Sequence, residues 1–113
     1  MAATIADAER VLLTRFGYPG FRPAQRRVVE SVLAGRDTLA VLPTGGGKSI
    51  CFQVPALLRE GLTLVLSPLV SLMTDQVDAL RRRGISAAGL HGGLTASEQA
   101  DAVARAVAGE VSL

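Results

Sequence analysis

Eight consecutive residues have the types and spacing to hold a phosphate chain: Leu42-Pro43-Thr44-Gly45-Gly46-Gly47-Lys48-Ser49. An apolar run, Thr38 to Leu42, precedes the glycines and reads as a buried strand. Ile50, Cys51 and Phe52 follow and open a helical segment. Strand, glycine turn and helix start together make a P-loop, a cradle for nucleotide phosphates. Gly45, Gly46 and Gly47 allow the dihedrals and the close approach needed for backbone N–H groups to wrap an anion. The helix that follows adds unpaired N–H groups and the positive end of its dipole. With Thr44 these glycines form the expected cofactor-binding loop. Lys48 is the candidate catalytic group, reaching the β- and γ-phosphates, and the Ser49 hydroxyl is the candidate ligand for Mg²⁺. Leu42 stands where the general pattern has glycine. The competing reading is a glycine turn that ends in Lys-Ser by chance. The flanking strand and helix favour phosphate binding, because the mechanism requires both.

A second stretch carries possible chemistry. Phe16-Gly17-Tyr18-Pro19-Gly20-Phe21-Arg22-Pro23 holds three of the four aromatic residues, with two glycines and two prolines. One reading is a small apolar cluster of Phe16, Tyr18 and Phe21 that packs the first helix down. The other is a stacking platform in which the Tyr18 face and the Arg22 plane hold a base and Gln25 pairs with an adenine edge. The residues alone leave both open.

The elements that must position these groups follow from periodicity. Thr4 to Phe16 is a helix, with Ile5, Ala8, Leu12 and Phe16 on one face and Gly17 as its stop. Pro23 to Leu33 is a second helix, with Val28, Val29, Val32 and Leu33 buried and Arg26, Arg27 and Glu30 wet. After the glycine loop, Pro55 cannot donate to the Cys51 carbonyl, so a kink or break is expected near Gln53-Val54. Leu62 to Leu66 reads as a parallel strand buried on both faces. Ser67-Pro68 reads as the cap and first position of the next helix, whose stripe is Leu69, Met73, Val77 and Leu80. Arg81, Arg82 and Arg83 fall in its last turn, where cations suit the dipole, and this accounts for them without nucleic acid. Ile85 to Leu90 is a weaker strand, and His91-Gly92-Gly93 a loop. Thr95 and Glu98 form a capping box for a helix to about Ala108. Strands alternating with helices imply an open parallel sheet with right-handed crossovers. The glycine loop, Ser67-Pro68 and His91-Gly92-Gly93 should then share the edge at the strands' C-terminal ends.

Composition narrows the classes. The chain has 113 residues, enough for one small domain, and a net charge of +2, which argues no nucleic-acid partner by itself. A single cysteine, Cys51, excludes an internal disulfide and a cysteine-based zinc site, and is read as a small apolar core residue. No second histidine or carboxylate stands at ligand spacing from His91, so metal binding there is discounted. No signal peptide is read in the first 30 residues, and no apolar run reaches the ~18 residues of a membrane span.

Three segments together resemble the RecQ family of DNA helicases, in superfamily 2. Phe16-Gly17-Tyr18, Phe21-Arg22-Pro23 and Gln25 resemble the family's motif 0. Leu42 to Ser49, continued by Cys51, Gln53, Pro55, Ala56 and Leu57, resembles motif I, with Leu42 for the usual alanine. Ser67-Pro68-Leu69-Val70-Ser71-Leu72-Met73 with Asp75-Gln76-Val77 resembles motif Ia. The resemblance implies that Tyr18 and Arg22 sandwich an adenine and that Gln25 reads its edge. It implies ATP with Mg²⁺, and 3′ to 5′ unwinding of DNA, as a single strand or duplex junction. It implies that Ser67 holds a backbone phosphate. Gly92-Gly93 is similar instead to the paired glycines of DEAD-box relatives, which lie on the nucleic-acid backbone.

The fold so implied is α/β: a partial RecA-like parallel sheet flanked by helices and preceded by two N-terminal helices. Residues 1–37 would carry motif 0, and residues 38–113 an incomplete first motor domain. The Asp-Glu-x-His motif that would ligate Mg²⁺ and activate water does not occur in the sequence. The chain is thus expected to be the front of a motor domain, truncated as a further strand begins, with a second motor domain in the parent protein. It is expected to bind nucleotide weakly without turning it over, in the cytoplasm near a bacterial nucleoid or in a eukaryotic nucleus. Leu39 to Leu42 would lack neighbouring strands and leave apolar edges open. The alternatives are a small P-loop kinase or nucleotide-binding regulator, which would not need Tyr18, Arg22 and Gln25, and a non-catalytic nucleic-acid adaptor.

Overall fold

The computed structural model describes residues 3–43 and 47–113. Five α-helices are assigned: α1 Ile5–Val11, α2 Pro23–Leu33, α3 Ile50–Leu58, α4 Val70–Arg82 and α5 Ala96–Val107. A π-helical turn, Leu12–Phe16, extends α1 and stops at Gly17, whose φ of 76° is left-handed. The chain divides into two compact units, Met1–Glu60 and Gly61–Leu113.

In the first unit α1, α2 and α3 pack on one another. The helical spacing read from the sequence places Ala8, Leu12, Phe16 and Val29 in the core, joined by Cys51, Val54, Pro55 and Ala56 of α3. Thr4 caps α1 in a reciprocal box with Asp7, and Pro23 opens α2 as expected. Arg26 ties α2 to α1, pairing with Glu9 and with Glu30 at 2.8 Å, which accounts for it as a structural side chain. Arg59 Nη2 donates to the Val32 carbonyl at 2.8 Å and so closes the end of α2. The break expected at Pro55 does not occur. The helix runs through it to Leu58, with the ring fully buried, at the loss of one backbone donor. Burial also pushes the Cys51 thiol up, as suits an inert core cysteine.

The second unit carries α4 and α5 around a small core of Leu80, Ile85, Ala87 and Val111. Helix α4 begins two residues later than the sequence suggests, with Leu69 at its cap position. Ser67 instead folds onto Leu69, its hydroxyl 3.4 Å from the Leu69 N–H and 3.3 Å from its carbonyl. Arg81 Nε donates to the Ala87 carbonyl at 2.9 Å, a local role that needs no nucleic acid.

The expected parallel sheet is not formed: every regular element among the described residues is helical. The runs read as strands are extended but lack ladders. In the second unit three backbone bonds join them, from Thr63 N–H to the Ser112 carbonyl, Ser112 N–H to Ser86 and Ala88 N–H to Leu113. These run in the parallel sense but are too few and uneven to make strands. Leu39 and Val41 of the first run are 92% and 87% exposed. The cause is physical. A helix satisfies its backbone within one segment, whereas a strand exists only through a partner, so apolar patterning can specify burial without supplying pairing. The sheet edge that was to gather the glycine loop, Ser67-Pro68 and His91-Gly92-Gly93 is likewise not formed among the described residues.

The caps carry a pH dependence. In the Thr95–Glu98 box, Glu98 Oε1 accepts the Thr95 N–H at 2.9 Å and Thr95 Oγ1 accepts the Glu98 N–H at 3.1 Å. The Thr95 backbone bond holds the Glu98 carboxyl below the usual carboxylate range, and Thr4 does the same for Asp7. Groups depressed in the folded state stabilise it above their unfolded pKa and lose that contribution as pH falls through the folded value. Helical circular dichroism should therefore decline below about pH 4. Glu98→Gln, which keeps an acceptor and cannot titrate, should remove part of that decline. An acid profile identical to the parent's would show that the Glu98 cap contributes nothing.

Candidate nucleotide-binding site

Helix α2 places Gln25 in its first turn, and packing of α2 on α3 carries that turn to the end of the glycine loop. Gln25 is 6% exposed. Its Oε1 accepts the Arg22 N–H at 2.9 Å and its Nε2 donates to the Gly47 carbonyl at 3.1 Å. The two partners fix which end of the amide faces which way, because one is a donor and the other an acceptor. The structure thus joins two stretches that the sequence shows only as separate motifs, across 22 residues.

Gly47 has φ +72°, and a Cβ built there would lie 2.2 Å from Gln25 Nε2. Backbone conformation and space therefore both require glycine. Lys48 and Ser49 form the turn into α3, Lys48 exposed and Ser49 half-buried with helical φ and ψ. Successive N–H groups at the start of a nine-residue helix, an exposed ammonium and a hydroxyl form a donor set that fits a polyphosphate. Thr44, Gly45 and Gly46 lie outside the described residues. Tyr18 is 47% exposed on the connector between Gly17 and α2, and Arg22 is exposed at the cap position of α2. Phe16 is buried in the core while Tyr18 is not, so the aromatic stretch divides between the two roles left open by the sequence.

In the second unit, Gly92 and Gly93 are exposed, and the Gly93 N–H donates to His91 Nδ1 at 3.1 Å. Gln99 Nε2 holds the loop through the His91 and Leu94 carbonyls at 3.2 and 3.3 Å. Among the described residues no group of three His, Cys, Asp or Glu side chains could hold a metal ion. No helix among them is long and apolar enough to cross a membrane. What sequence reasoning missed is the loop-facing half of Gln25. Nothing local signals it, because the partner is a backbone carbonyl far along the chain.

A glycine turn entering a helix, with a buried glutamine bound to its last glycine, defines a phosphate-loop domain. A family model described as DEAD/DEAH box helicase matches residues 22–111, and the chain belongs to that family. Within it the likeness is to RecQ-type proteins. The chain is 59% identical over 91 residues, 80% of its length, to the ATP-dependent DNA helicase RecQ of Synechocystis sp.. It is 47% identical over 103 residues, 91% of its length, to the same-named protein of Haemophilus influenzae. It is 50% identical over 84 residues, 74% of its length, to the ATP-dependent DNA helicase Q-like 4B of Arabidopsis thaliana. These stretches are 19%, 17% and 7% of the respective relatives, so the chain spans a fifth or less of each. The RecQ resemblance carried by the three motifs is thereby borne out.

Proposed function

We propose that this chain is the nucleotide-receiving part of a RecQ-type, ATP-dependent DNA helicase. The observation that carries the reading is the Gln25–Gly47 hydrogen bond, which couples the base-reading stretch to the phosphate loop in one compact unit. ATP lies with its phosphates on residues 44–49 and its adenine between Tyr18 and Arg22. Lys48 neutralises the β- and γ-phosphates, and the Ser49 hydroxyl orients toward the accompanying Mg²⁺, which when bound offsets phosphate charge. DNA, as a single strand or duplex junction, meets the second unit through Ser67 and the Gly92-Gly93 backbone. The protein works where DNA is, at a bacterial nucleoid or in a nucleus. The sequence holds no Asp-Glu-x-His pair to place the metal and the attacking water, so this chain binds nucleotide and leaves hydrolysis and unwinding to a longer assembly.

Competition binding tests the reading. Tyr18→Ala should weaken ADP about tenfold, the scale of one base–aromatic stack, and leave inorganic pyrophosphate unchanged. An unaltered ADP affinity would remove the base from this site and favour a plain phosphate-loop protein.

A further inference from the structure

The resemblance gives Gln25 the task of reading adenine, yet the side chain is buried and its amide is spent inside the protein. A reader of a ligand edge should present that edge to the ligand. Gln25 instead accepts from the Arg22 N–H and donates to the Gly47 carbonyl, with 6% of its surface exposed. We propose that Gln25 is the positioning residue of the phosphate loop, acting through Gly47 whatever base the nucleotide carries. This rests on the nucleotide-binding reading above and goes beyond it.

The argument runs through one peptide unit. The Gly47 carbonyl and the Lys48 N–H belong to the same peptide plane, and in a trans peptide they point in opposite directions. Among the described residues no peptide is cis. Holding the Gly47 carbonyl on Gln25 Nε2 therefore turns the Lys48 N–H away from Gln25, out of the loop's protein-facing side. That N–H is one of the donors an anion at the start of α3 would use. It also sets the direction in which the Lys48 stem leaves the backbone. Gly47 can take part because its φ of +72° and its missing Cβ let the amide approach, whereas any side chain would collide with Nε2 at 2.2 Å. The other end of the amide is fixed by the Arg22 N–H, so the anchor is rigid at both ends. Preorganised donors bind an anion without paying to order the loop at that moment.

Base independence is the distinguishing consequence. The full chain and Gln25→Met, which keeps length and apolar bulk but has no amide, are titrated with ATP, GTP and inorganic tripolyphosphate, each with Mg²⁺. Titrations are run well below each protein's melting midpoint, so that a fall in stability alone does not register as lost binding. All three probes should lose about tenfold in affinity, tripolyphosphate included, as expected for loss of one buried anchoring hydrogen bond. Gly47→Ala, which drives the same two groups apart from the loop side, outside the helical cluster, should give the same uniform loss. It stands in should Gln25→Met fail to fold. A loss confined to ATP, with GTP and tripolyphosphate unchanged, would overturn the proposal and leave the nucleotide-binding reading intact. A parent chain that binds none of the three probes would overturn both.

Discussion

Lys48→Ala is expected to reduce ATP affinity on the order of a hundredfold while leaving the fold unchanged. The side chain is exposed at the turn into α3, so its ammonium is available to a ligand and its removal costs the core nothing. Charge-assisted hydrogen bonds contribute roughly 1.5–3 kcal/mol, and a multiply charged phosphate chain lies at the upper end of that range. Three kcal/mol is about a hundredfold in affinity. The effect should shrink as salt rises, because an exposed ammonium is screened. Arg27→Ala is the control. It removes the same charge from an exposed position on α2, and should change ATP affinity less than about twofold if only long-range charge is lost. Isothermal titration with matched circular dichroism checks both variants. Equal ATP binding by Lys48→Ala and the parent would eliminate the phosphate loop and leave a nucleic-acid adaptor as the better reading.

The helices were legible because their information is local. Thr4 with Asp7, Pro23 with the valines behind it, and Thr95 with Glu98 each declare a helix within a few residues, and each helix forms there. Ser67-Pro68 misled because the serine hydroxyl satisfied itself on Leu69, two residues away, before any helix began. The strands were legible only as apolar runs. Leu62 to Leu66 and Thr38 to Leu42 have the composition of buried strands, but a ladder depends on partners that composition does not name. Leu64 and Leu66 stand 80% and 96% exposed. These unpaired apolar runs are open to association with other chains. The phosphate loop was legible from spacing alone. The bond between Gln25 and Gly47 was not, because it depends on how α2 packs on α3 rather than on either motif.

The same packing makes the site hostage to one buried leucine. Leu12→Ala is expected to lower the melting midpoint of the first unit by on the order of 15 °C, and to abolish nucleotide binding at temperatures where the parent still binds. Leu12 is 1% exposed and is among the largest fully buried side chains. Its π-helical turn faces the residues that hold the three helices together. Truncating such a leucine costs about 3 kcal/mol or more through lost transfer energy and the cavity left behind. A unit of this size has few kilocalories to lose, because it buries only about 60% of the surface its unfolded chain exposes. At about 4–8 °C per kcal/mol for a small domain, the shift is large. Leu13→Ala is the neighbouring control. Its side chain is 57% exposed, and its loss should move stability by no more than about 0.5 kcal/mol. The link to function is mechanical. Gln25 is held against Gly47 by the packing of α2 on α3, and that packing shares the core to which Leu12 belongs, so loosening it withdraws the amide from the loop. Thermal melts by circular dichroism, paired with ATP titration of each variant, separate the two leucines. A Leu12→Ala chain that melts with the parent and binds ATP equally would show that the three helices do not hold the phosphate loop in place.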